Sequence, residues 1–189
     1  MSVDRAIRVE HLEDERLADY RFLRDRDLRR REEGLFVGEQ LLVVEQILQR
    51  AELTRSVLVA EPFLDRVAPL VPAEIPLLVG DRALLERVAG FAMHRGVLAI
   101  GRRDRVEHAS VSSMLRAIAR PAPDSLTLLL LEDIANIDNM GQLFRNAAAF
   151  GVDGVILSPR CHDPLYRKVV RVSIGHVLTV PFARSDDWA

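Results

Sequence analysis

The amino-acid sequence predicts an α/β fold, and three observations carry that expectation. Short apolar, β-branched runs alternate with segments of helical periodicity along most of the chain. Most of those runs are apolar throughout, as strands covered on both faces are. Apolar residues make up 49% of the 189, enough to bury a sizeable core. The rhythm is βαβα, so the expected sheet is mainly parallel.

The elements follow in order. A helix is expected over Asp14 to Arg30. "LFVGEQ" is a short strand entering the helix "EQLLVVEQILQRA", in which Leu42, Val43, Ile47 and Leu48 form one stripe. "SVLVA" is a strand, "EPFLDRVAPL" a helix, "IPLLVG" a strand, "DRALLERVAG" a helix and "GVLAIGRR" a strand. Residues 104–124 change character: a serine-rich entry leads into a short helix, then "RPAPDS" punctuates the chain with proline. The short helix reads as the tail of the first unit. A second βαβ set starts at Leu126, with "LTLLLLE" as strand, 139–150 as helix, "GVILSP" as strand, "PLYRKVVRVSIG" as helix or helical loop, and "VLTVPF" as strand. The expected organisation is one unit over 1–107, a linker region over 108–124, and a second unit over 125–189. Three strands and two connections are few for a self-sufficient open sheet, so the second unit looks cut off.

Bulk properties narrow the class. No run reaches the length of a membrane span, and the charged N-terminus "MSVDRAIRVEHLEDE" lacks the apolar region of a secretory signal. Cys161, the single cysteine, fits a reducing cytoplasm. A net charge of −2 argues against a general polyanion binder. Lys168 is the only lysine among 26 basic residues. Arginine bias of this kind follows either from base composition or from a need for planar phosphate donors. Two clusters, "GRRDR" at 101–105 and "YRKVVR" at 166–171, sit at element ends where a ligand can reach them. Aromatics are only 5%, too few for extensive stacking against flat ligands.

Most of the chemistry gathers in "DNMGQLFRNAAAFG", Asp138 to Gly151. Met140, Leu143, Phe144 and Ala147 make one helix face, and Asn139 is a residue type that caps helices. In an open α/β sheet, ligands bind beyond the carboxyl ends of the strands, where this helix would offer free amides and a positive dipole end. Gly141 would let a backbone or a ligand approach closely. Arg145 lies off the apolar stripe. It either holds a phosphate or carboxylate in a forked grip, or pairs with Glu132, Asp133 or Asp163. "CHD" at 161–163 is a poor metal or nucleophile set, because consecutive residues do not converge on one atom.

"NMGQLFRNAAAFGVDGVILSP" closely resembles the first motif of the SpoU (TrmH-like) RNA ribose 2′-O-methyltransferases, in which Asn-x-Gly precedes an arginine and a Phe-Gly pair. "CHDPLYRKVVRVSIGHVLTVPF" resembles the next stretch of the same family, and "FVGEQLLVVEQIL" with "MHRGVLAIGRR" resembles its ribosomal-protein-like substrate-binding domain. Ile137 departs from the proline of many members, which affects turn stiffness more than chemistry. The resemblance implies a small α/β substrate-binding domain followed by the N-terminal part of a SPOUT (α/β knot) methyltransferase domain. It also implies S-adenosylmethionine as cofactor, rRNA or tRNA as partner, a cytoplasmic location and a homodimer in the full-length protein. Asn139 and Arg145 match the catalytic asparagine and arginine. Arg145, His94, Arg95, Arg102, Arg103, Arg167 and Lys168 are the expected RNA contacts. The family's Gly-x-Glu-x-x-Gly and Ser-x-Asn cofactor segments do not follow Phe182, so 1–189 alone is expected to lack the cofactor site, and the strand edge beside "VLTVPF" to stand uncovered. The alternatives are an RNA-binding protein of the same ancestry without catalysis, or a doubly wound fold binding another phosphorylated small molecule.

Overall fold

The structure is a computed structural model that describes residues 3–21, 23, 34–90, 96–119 and 125–188. It divides into two compact units, Met1–Arg102 and Arg103–Ala189, each with its own sheet.

The first unit holds five strands in the order β1-β4-β3-β5-β2: β1 (Ile7–Arg8), β2 (Leu35–Glu39), β3 (Thr54–Ala60), β4 (Leu77–Gly80) and β5 (Val97–Arg102). β1, β4 and β3 pair in parallel, whereas β5 runs antiparallel to both of its neighbours, β3 and β2. The sheet is therefore mixed rather than mainly parallel. Apolar runs covered on both faces look alike whichever way their neighbours run, so the pattern carried no information on direction. Helices α1 (Leu41–Leu48), α2 (Leu64–Val67) and α3 (Arg82–Ala89) connect the strands. "EPFLDRVAPL" is not one helix: α2 is a single turn between 3₁₀ segments at Glu61–Phe63 and Ala68–Leu70, because Pro62 and Pro69 cannot donate within a longer helix. The helix expected from Asp14 is a 3₁₀ segment, Glu15–Tyr20, capped by Asp14, and most of the remainder to Arg30 lies outside the described residues. Its Leu17 and Tyr20 are fully buried, and the Tyr20 hydroxyl meets Ser56 Oγ at 2.8 Å.

The second unit is an all-parallel sheet in the order β6-β9-β8-β7: β6 (Glu107–His108), β7 (Leu128–Leu131), β8 (Gly154–Leu157) and β9 (Phe182–Arg184). Helices α4 (Val111–Ile118), α5 (Ile137–Ala149) and α6 (Arg167–Val172) belong to it. Two boundaries expected from sequence move. β6 and α4 lie in the second unit, so the division falls after Arg102 and not at 107, and the residues near "RPAPD" connect two elements of one unit. A two-residue strand carries no periodicity that could have revealed this. The "VLTVPF" strand shrinks to Phe182–Arg184, since His176–Leu178 forms a 3₁₀ turn. β9 is flanked on both sides, by β6 and β8, so the uncovered edge is not beside it. The outer strands are β6 and β7, and on β7 Leu130 is 60% exposed. None of the described helices is long and apolar enough to cross a membrane.

Candidate active site

The carboxyl ends of β7 and β8 carry two loops that are tied together. Leu131 O accepts the Ser158 amide at 2.9 Å and the Cys161 thiol at 3.1 Å, and the His162 amide donates to Ile134 O at 2.8 Å. Asp133 takes a left-handed backbone conformation, φ 51°. Its amide donates to Ser158 Oγ at 2.9 Å, and the Ser158 hydroxyl donates to its Oδ1 at 3.0 Å. Arg160 closes on the second oxygen, with Nε at 3.0 Å. That hydrogen bond, with Ser158 adding to it, holds the Asp133 carboxyl below its ordinary pKa. Arg184 Nη1 straps the second loop through the carbonyls of Ser158, Pro159 and Cys161, at 2.8, 3.1 and 3.0 Å. Sequence reasoning missed this lacework, because its members are far apart in the chain and belong to no motif. The "CHD" residues serve three separate contacts: Cys161 as above, His162 edge-on to Tyr166 at 5.0 Å, and Asp163 in an ion pair.

α5 begins from the first of these loops. Its cap is Asn136, whose side chain accepts the Asn139 amide at 2.9 Å, so Asn139 is a first-turn residue and not the cap. The signal was present in "ANIDN", an asparagine three residues before another at a helix start. Asn139 is thereby left with an exposed side chain. Met140, Phe144 and Ala147 are buried, Leu143 is half-buried, and the Phe144 ring meets Phe182 edge-on with centroids 5.4 Å apart. Gly141 is buried against α6: an added Cβ would stand 2.7 Å from Val172 Cβ and 3.1 Å from Val169 O. The close approach it permits is to another backbone.

The arginines separate into different roles. Arg145 is exposed and makes no hydrogen bond or ion pair with a described residue. The acids that could have claimed it are engaged elsewhere: Glu132 by the Trp188 indole at 3.2 Å, Asp133 by Arg160, and Asp163 by Arg103. Arg103, expected to touch RNA, is only 7% exposed and pairs with Asp163 at 2.6 Å and Glu107 at 3.3 Å. Burial works against its charge, but the two carboxylates outweigh burial and raise its pKa. That guanidinium is a structural tie and is not free for phosphate; adjacency to Arg102 gave no warning of burial. Lys168 bridges to Asp138 at 2.9 Å with both side chains still well exposed. Arg102 and Arg167 are half-buried and engaged. His94 and Arg95 lie outside the described residues.

Residues 126–189, which include Asn139, Arg145, Arg167 and Lys168, match the SpoU rRNA Methylase family. An uncharacterized tRNA/rRNA methyltransferase of Mycobacterium bovis is 38% identical over 183 residues, 93% of this chain and 59% of that protein. A Mycobacterium tuberculosis relative of the same description is 37% identical with the same coverage. Residues 126–189 are accordingly a SpoU-family region, and the likeness to these methyltransferases runs through most of the chain. The chain spans about three fifths of the length of these relatives. Among solved structures, an rRNA methyltransferase from Sinorhizobium meliloti matches with a TM-score of 0.73 at 22% identity, covering 96% of this chain and 66% of that one. A TrmH-family protein from Porphyromonas gingivalis described as a putative RNA methyltransferase gives 0.72 at 22% identity, over 94% and 64%. At that identity the likeness speaks for the fold: a mixed-sheet unit followed by the parallel-sheet SpoU region.

Proposed function

We propose that this chain is the RNA-positioning portion of an S-adenosylmethionine-dependent RNA ribose 2′-O-methyltransferase, acting on rRNA or tRNA in the cytoplasm and dimeric as the full-length protein. The observation that carries the reading is Arg145, an exposed cation without a described partner on a helix that opens at the carboxyl edge, inside the family-matched region. Side chains on a helix lean toward its N-terminus, which favours a reach of Arg145 back toward that edge. A guanidinium stays protonated, which makes Arg145 a poor base and a good fork for a backbone phosphate. In that role it fixes the ribose 2′-hydroxyl beside the phosphate, and the phosphate is the nearer proton acceptor. Orientation of this kind removes much of the barrier to a displacement. Asn139, free of capping duty, contributes a polar side chain to the ribose. Lys168 and Arg167 extend the positive surface, and the first unit acts as an RNA-binding domain.

S-adenosylmethionine would supply an electrophilic sulfonium methyl. The loops described here have several of their acceptors already engaged internally: Leu131 O, the Asp133 carboxylate and the carbonyls of residues 158, 159 and 161. Residues 1–189 alone are therefore expected to bind RNA and not the cofactor. Isothermal titration with S-adenosylmethionine, beside RNA binding at two salt concentrations, tests both halves. Wild-type chain should bind RNA with steep salt dependence, and R145A should weaken it roughly tenfold and lower the salt slope by about one. Micromolar cofactor binding, or R145A at wild-type RNA affinity, would overturn the corresponding half.

A further inference from the structure

The first unit contains a cavity of about 400 Å³ that the reading above does not use. It is lined by Leu41, Leu42, Phe63, Arg66, Val67 and Val97. Three chain segments converge there: α1 leaves the end of β2, the Glu61–Phe63 turn leaves the end of β3, and β5 enters between those strands. This is the carboxyl edge of the strands that run in one direction, the edge at which open α/β sheets bind ligands.

The chemistry of the walls restricts the occupant. Five of the six lining residues are apolar, and Leu42 is 55% exposed although it faces this hollow. The Phe63 ring is held by Gly96, whose φ of 57° brings the backbone close: an added Cβ would stand 2.4 Å from Phe63 Cδ2. Arg66 is exposed and makes no hydrogen bond or ion pair with a described residue. α1 opens with Gln40 at φ 77° and without a side-chain cap hydrogen bond. A volume of this size suits a small-ligand site. Apolar walls with one unpaired guanidinium at the rim fit a flat heterocycle carrying an adjacent negative charge. We infer that this cavity takes an unstacked RNA base, with Arg66 on the phosphate next to it. The inference rests on the proposal that the chain acts on RNA. Because Arg66 is the one hydrogen-bonding side chain among the described lining residues, the site reads base shape and stacking, not base identity.

Methyl NMR of the full chain during titration with a short single-stranded RNA tests this. The Leu41, Leu42, Val67 and Val97 methyls should shift with saturation. L42E, a change at an exposed wall, should weaken RNA binding about tenfold, a loss typical of one stacked base. R66A should lower the salt slope by about one. R145A serves as the independent arm, because it should weaken binding while leaving the cavity shifts at saturation unchanged. RNA binding without movement of those methyls overturns the cavity assignment alone. So does their response to octanoate but not to RNA, which would mark an aliphatic-acid site. Wild-type affinity in R145A, with the cavity shifts intact, overturns only the role given to Arg145. A chain that binds no RNA overturns both proposals.

Discussion

Replacing Gly141 by alanine puts the packing of α5 on α6 to a direct test. The new Cβ would lie 2.7 Å from Val172 Cβ and Cγ1 and 3.1 Å from Val169 O. Carbon atoms prefer to be about 3.5–4.0 Å apart, so α6 or its valine must retreat by roughly an ångström. A carbonyl oxygen on the helix backbone cannot rotate away as a side chain can. Alanine gains up to about 1 kcal/mol in helix propensity over glycine, whereas forced overpacking costs about 1–3 kcal/mol. The balance should be a loss of roughly 1–2 kcal/mol, or on the order of 4 °C in Tm. Trp188, the only tryptophan, lies in the second unit, so its fluorescence during urea unfolding reports the relevant transition. G141A/V172A should recover part of the loss, a coupling that a double-mutant cycle isolates. A G141A chain as stable as wild type, or more so, with RNA affinity reduced would refute the reasoning. Gly141 would then be small for a ligand's sake and not for α6.

Three further outcomes are expected. N136A removes the acceptor for the Asn139 amide and should cost about 1 kcal/mol in the second unit, seen as a lower urea midpoint; no change would mean that another group caps α5. R103A leaves Asp163 and Glu107 without their shared cation and should cost about 3–5 kcal/mol, while a variant with unaltered stability and weakened RNA binding would restore Arg103 as an RNA contact. The hydrogen bond from Arg16 lowers the Asp14 pKa from 3.8 to about 2, so its folded value lies below the unfolded one. Its stabilising contribution is then present above pH about 4 and fades as pH falls toward about 2. Denaturation curves of wild type and D14N should converge at the acid end and separate above it; equal separation at every pH would refute the assignment.

What the chain encodes locally was legible in advance. β2, β3, β4, β5, β7 and β8, and the helices α1, α3 and α5, lie where apolar periodicity put them, because burial of one face or both writes itself into consecutive residues. The family was legible too, since the run from Asn139 to Phe150 is contiguous and the comparisons agree with it. Tertiary structure decided everything that depends on partners distant in sequence. It reversed β5 against its neighbours and moved β6 and α4 into the second unit. It also gave the cap to Asn136, and it buried Arg103 against Asp163, 60 residues away, while leaving Arg145 without a carboxylate among the described residues. A guanidinium looks the same in sequence whether its field is already neutralised or still open. Only the three-dimensional placement of acids around it distinguishes a structural ion pair from a cation free to meet phosphate.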